Sequence, residues 1–96
     1  MTSTERERII IEIIQHYGRE LQIEVAQEEL AELIQAISKY KRIKSNKILN
    51  NIIEEISDVF IMINQLVIIF DISWYDVEKQ IDYKLNRQLQ RIKEDK

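Results

Sequence analysis

No proline interrupts this chain, and a single glycine, Gly18, punctuates it. A polypeptide of 96 residues so poor in turn-forming residues cannot make the repeated tight reversals that a sandwich, barrel or meander requires. Isoleucine is abundant and favours strands on propensity alone. Here, however, it recurs at spacings of three and four rather than alternating with polar residues, which is the helical period. The remaining bulk is Glu, Lys, Gln, Leu, Ala and Arg, all good helix formers. The expected fold is all-α: one domain over residues 1–96, built as a bundle of about four helices.

Thr4 followed by Glu7 reads as a capping box opening the first helix, whose stripe of Ile10, Ile13, Ile14 and Tyr17 runs to Gly18. Gly18 either ends that helix or bends one that continues. A second helix is expected from about Glu20 to Lys41, with Leu21, Val25, Leu30, Leu33, Ile34, Ile37 and Tyr40 on its apolar face. Lys41 to Lys47 is polar and basic and reads as a loop, in which Ser45 or Asn46 caps a third helix running to about Phe70. Between Val59 and Phe70 the apolar residues of that helix go all the way round its axis. A helix apolar on more than one face must be buried on more than one face. Three other helices of so small a chain cannot enclose it, so the core is expected to be completed by homo-oligomerisation, as a homodimer or a dimer of dimers. Ser73, with Asp76 three residues on, caps a fourth helix expected to reach about Arg91.

Several classes of function are disfavoured. Without cysteine there is neither a disulfide framework nor a thiolate metal site. The charged opening (Glu5, Arg6, Glu7, Arg8) is unlike a secretory signal, so a cytoplasmic setting is expected. The longest uncharged stretch, Val59 to Phe70, is too short to span a bilayer, so no membrane partner is expected. A formal net charge of −3 argues against a nucleic-acid partner.

Two segments concentrate carboxylates where an ordinary amphipathic helix would not: Glu28-Glu29-Leu30-Ala31-Glu32 and Glu54-Glu55-Ile56-Ser57-Asp58. Residues three apart are neighbours on a helix, which pairs Glu29 with Glu32 and Glu55 with Asp58. Glu55 is flanked by Ile52, Ile53, Ile56 and Val59, and the most apolar run of the chain follows Asp58. Acids in that setting point into the structure or into a cleft. Two unit charges ~6 Å apart at an effective dielectric of ~20 repel by roughly 2.8 kcal/mol. Four converging carboxylates would threaten a net stability of only about 5–15 kcal/mol unless protonated or neutralised by cations. All-oxygen ligands suit Mg²⁺, or Mn²⁺ in its place, better than Zn²⁺. The plainer reading is that these are solvent-facing acids on amphipathic helices.

The string Glu28-Glu29-x-x-Glu32, twenty-two residues, then Glu55-x-x-Asp58 resembles the E-E-x-x-E … E-x-x-D signature of MazG-like all-α nucleoside triphosphate pyrophosphohydrolases. The likeness extends through Gln27 to Ile37 and Ile53 to Val59, and on to Lys84-Leu-Asn-Arg87, which looks like that family's basic K-x-x-R element. Asp82 stands where relatives often carry Asn, and Gln88 where a second Arg often follows. The resemblance implies that Glu29, Glu32, Glu55 and Asp58 hold Mg²⁺, that Glu28 orients or deprotonates the attacking water, and that Lys84 and Arg87 steady the phosphates. It implies hydrolysis of a nucleoside triphosphate to the monophosphate and pyrophosphate, with house-cleaning of the nucleotide pool as the role the family suggests. A phosphoribosyl-ATP pyrophosphohydrolase shares the acidic signature. A non-catalytic helical oligomerisation module with a structural cation is the reading from another class.

Other residues have ordinary explanations. His16, the only histidine, rules out a ferritin-like di-iron site and lies at a helix end, where its charge suits the dipole. Trp74 and Tyr75 could stack on a base but suit packing at a helix start. The cationic segment of Lys39, Lys41, Arg42, Lys44 and Lys47 interleaves only Tyr40 and reads as a solvated loop.

Overall fold

The computed structural model describes residues 1–95 and is helical from end to end, with no strand among them. The helices are α1 (Ser3–Tyr17), α2 (Arg19–Arg42), α3 (Asn46–Ile69) and α4 (Trp74–Glu94).

Each helix boundary has a local cause. The capping box of α1 is Thr2 with Glu5, not the expected Thr4 with Glu7. The Thr2 hydroxyl accepts from the Glu5 N–H at 3.1 Å, and the Glu5 carboxylate accepts from the Thr2 N–H at 3.4 Å. Both pairs satisfy the same Thr-x-x-Glu spacing. Starting earlier adds a further helical bond, from Arg6 N–H to the carbonyl of the Thr2 cap at 3.0 Å. Gly18 then separates α1 from α2 alone. Its N–H donates to the Ile14 carbonyl at 2.8 Å, and its own carbonyl accepts from Gln22 at 3.2 Å. At φ 89° and ψ 151° it adopts a backbone that side chains with a Cβ rarely tolerate. The Ser45 hydroxyl accepts from the Ile48 N–H at 3.2 Å and caps α3. α3 closes in a Schellman motif: Ile72 N–H donates to Val67 C=O at 2.9 Å and Asp71 N–H to Ile68 C=O at 3.1 Å. Asp71 takes the left-handed conformation there, at φ 52°.

α2 and α3, joined through Ile43 to Ser45, pack side by side and form the body of the molecule. Ala26 and Ala36 of α2 are buried against α3, and their small side chains let the two axes approach closely. α3 contributes Val59, Met62, Val67 and Ile69 to the core. Two glutamines, Gln22 and Gln65, are buried with them. α1 lies across α2 and α3 without fully burying any residue of its own. α4 stands apart: none of its residues is buried, and it packs closely against none of the other three. Four helices are present as expected, but within one chain the packed unit is three helices plus a projecting fourth. His16, in the last turn of α1, meets Tyr17 edge to face at 4.6 Å between ring centroids. No helix among the described residues is long and apolar enough to cross a membrane.

Candidate metal centre

The pairing of α2 with α3 faces the two acidic segments toward each other. Carboxylate oxygens of Glu29 and Glu32, from α2, and of Glu55, from α3, all lie within 4.8 Å of one another. Glu29, Glu55 and Asp58 are half-buried at the seam, while Glu32 is exposed at its edge. The i, i+3 spacing within each helix puts both members of a pair on the inward side. The apolar residues around them then drive that side against the neighbouring helix.

The electrostatics are those of crowded acids in poor solvent. Glu29 is pushed up to about 7, first by burial of its carboxyl group and then by the charges of Glu32, Asp58 and Glu55. Burial, and after it the charges of Glu32 and Asp58, raises Glu55 as well, against an opposing hydrogen bond from the Asn51 side chain. Asp58 thus stands close enough to act on both, although its oxygens are not among the three that converge most tightly. One oxygen of Glu29 and one of Glu55 are sealed from solvent with no hydrogen-bond donor. A buried oxygen without a donor is costly, more so when it carries charge. No basic side chain compensates, since the one ion pair among the described residues is Arg19 with Glu20 at 3.9 Å.

Such a donor set fits a hard divalent cation. The ligands are all oxygen, two of them lack any other partner, and their charge is unopposed. Around an octahedral Mg²⁺ adjacent ligands lie about 3.0 Å apart and opposite ones about 4.2 Å, so the three oxygens would draw in on an ion shared between them.

The other sequence-derived candidates fall elsewhere. Glu28 is exposed on α2 next to Glu29 and outside the converging set. Lys84 and Arg87 lie exposed on α4, away from the acids of their own chain, and Arg87 rests 5.7 Å over the Tyr83 ring. Asn51, one turn before Glu55, joins the site without having stood out in the sequence. An asparagine on a long helix has no distinguishing pattern until the neighbouring carboxylate is placed. No family model, curated protein or solved structure matches the chain.

Proposed function

We propose that the protein is a Mg²⁺-dependent nucleoside triphosphate pyrophosphohydrolase working as a homodimer or dimer of dimers, as the resemblance to MazG-like enzymes implies. The observation that carries the reading is the convergence of Glu29, Glu32 and Glu55, with Asp58 beside them, around two donorless buried oxygens. These four residues would hold Mg²⁺, with Mn²⁺ as a substitute. When bound, the metal supplies neutralisation of phosphate charge and a lowered pKa for coordinated water. The chain's own contributions are distinct. By holding that cation, the carboxylates would seat the triphosphate at the α2–α3 seam. Glu28, exposed on α2 next to Glu29, would orient the attacking water or take its proton, as the resemblance implies. Lys84 and Arg87 would steady the phosphates, and this requires α4 to come from another subunit.

The reading is tested by pyrophosphate release from a panel of nucleoside triphosphates, deoxynucleoside triphosphates and phosphoribosyl-ATP. Mg²⁺-dependent release from at least one nucleoside triphosphate is expected. Glu32→Gln or Asp58→Asn should abolish it with helical content unchanged, because each removes a ligand charge with little change of shape. Full activity in either variant sinks the metal-site assignment. The separation of Lys84 and Arg87 from the acids favours one second reading, an oligomerisation module with a structural cation. Metal binding without turnover of any substrate in the panel would support it.

A further inference from the structure

We infer that α4 of one copy packs into the groove between α1 and α3 of a second copy, reciprocally, so that two chains exchange their last helices about a twofold axis. This rests on the homo-oligomer reading above and specifies which surfaces meet. It does not depend on the metal site.

The groove is open, encloses about 800 Å³, and is lined by Ile10 and Ile13 of α1 and by Phe60, Ile61 and Ile68 of α3, with Trp74 at its mouth. Phe60 is 63% exposed. Of its polar residues, Ser57 and Asn64 are spent on their own helix, the Ser57 hydroxyl donating to Ile53 C=O and the Asn64 amide to Phe60 C=O, each at 2.8 Å, while Ser3, Arg6 and Glu7 belong to the first turns of α1. The isoleucines and Phe60 ask for an apolar partner.

The same chain carries an unpartnered apolar helix. Val77, Ile81, Leu85, Leu89 and Ile92 recur on α4 at spacings of three and four, yet none is buried, and Leu85 is 63% exposed. α4 has 21 residues and is about 31 Å long, and most of a protein helix's stability comes from packing its apolar face, so this one calls for a surface to lie on. Its own groove is denied to it. The Schellman hydrogen bonds at Asp71 and Ile72 and the Ser73 cap, which accepts from the Tyr75 N–H at 3.2 Å, fix the turn and send α4 away from the body.

The area identifies the occupant. A compact 11.6-kDa monomer exposes about 5,800 Å², whereas this chain exposes 8063 Å². The excess of about 2,200 Å² per chain amounts to roughly 4,400 Å² for a pair, within the span of obligate homodimer interfaces and above that of transient contacts. A second copy provides both an α4 to fill the groove and a groove to receive α4. The exchange is isologous and closes, leaving no open end for a fibre. Phe60 and Asn64 lie about 140° and 180° round α3 from Glu55, so an α4 seated there leaves the acidic seam clear, and Lys84 and Arg87 would reach a neighbour's acids only across a second contact, between two such dimers.

The test pairs a groove variant, Phe60→Glu, with a helix variant, Leu85→Glu, neither of them in the acidic cluster. By light scattering at micromolar concentration the unmodified chain should weigh twice 11.6 kDa, and each variant alone 11.6 kDa. An equimolar mixture of the two should recover the dimer mass, because it contains one intact groove and one intact helix. Hydrogen exchange on the unmodified protein gives a second readout: α4 amides should be protected as dimer and lose that protection on dilution. A monomeric unmodified protein overturns both the homo-oligomer reading and the exchange. A dimer insensitive to Leu85→Glu, a mixture that stays monomeric, or α4 amides unprotected at every concentration overturns the exchange alone.

Discussion

Glu29 holds its proton to about pH 7, against an ordinary value of 4.5, because burial and three neighbouring acids disfavour its charge. The folded carboxyl therefore binds a proton more tightly than the unfolded one. It follows that the metal-free protein loses stability as pH rises from about 4.5 through about 7, and that the loss levels off above. A divalent cation competes for the same oxygens. Millimolar Mg²⁺ should accordingly raise the melting temperature more above pH 7 than near pH 5. Glu29→Gln should raise it without metal and remove most of the Mg²⁺ increment, and thermal denaturation across pH with and without Mg²⁺ decides the matter. A Mg²⁺ effect independent of pH would count against a converged site. A second expectation concerns Gln65, which is only 2% exposed, with an unpartnered Oε1 and an amide that donates only to the Met62 sulfur at 3.7 Å. Gln65→Met keeps the shape and removes the unmet group, so urea titration should show about 1–2 kcal/mol of added stability. The acids were legible in the sequence because charges embedded in an apolar run contradict the run. The buried glutamines were not, because Gln on a helix reads as surface until the neighbouring helix is placed.

For the helices the sequence was informative where periodicity and a unique stop signal coincided. α2 and α3 begin and end within one residue of expectation, bounded by Gly18, by Ser45 and by the turn before Ser73. α1 was misplaced at its start because two overlapping Thr-x-x-Glu boxes compete, and spacing alone does not rank them. α4 runs to Glu94, beyond the expected Arg91, since its charged last turn remains a good helix former. Its position was not legible at all: an apolar stripe announces a partner without naming it. The turn between α3 and α4 offers a test of the backbone argument. The left-handed conformation costs a residue with a Cβ about 1–2 kcal/mol, and glycine forfeits about 0.5–1 kcal/mol in the unfolded chain. Asp71→Gly should thus stabilise the protein by about 0.5–1 kcal/mol in chemical denaturation, with α3 and α4 unchanged by circular dichroism. A loss of stability would mean that the Asp71 side chain does something there beyond tolerating the backbone.

The shape of the molecule carries the last expectation. A compact chain of this length has a radius of gyration of about 12.5 Å, whereas this one measures 16.7 Å and extends over 51 × 36 × 27 Å. Such an outline leaves Ile61 and Ile68 of α3 partly in water, at 44% and 36% exposure, although they sit beside core residues. Each isoleucine withheld from burial forgoes about 1.5–3 kcal/mol. In a twofold assembly one substitution is made twice, so Ile61→Glu or Ile68→Glu should weaken association by at least about a hundredfold at 1.4 kcal/mol per factor of ten. Glu12→Lys also changes an exposed residue, but on the side of α1 away from the groove, and should leave association unchanged. Because folding and assembly are linked, the melting temperature of the unmodified protein should climb with protein concentration, and that of Ile61→Glu should not. Sedimentation equilibrium and melting at several concentrations give independent measures of one quantity. If the unmodified chain sediments as a folded, active monomer with a concentration-independent melting temperature, the exposed face of α3 has some other purpose and the shared-core argument fails.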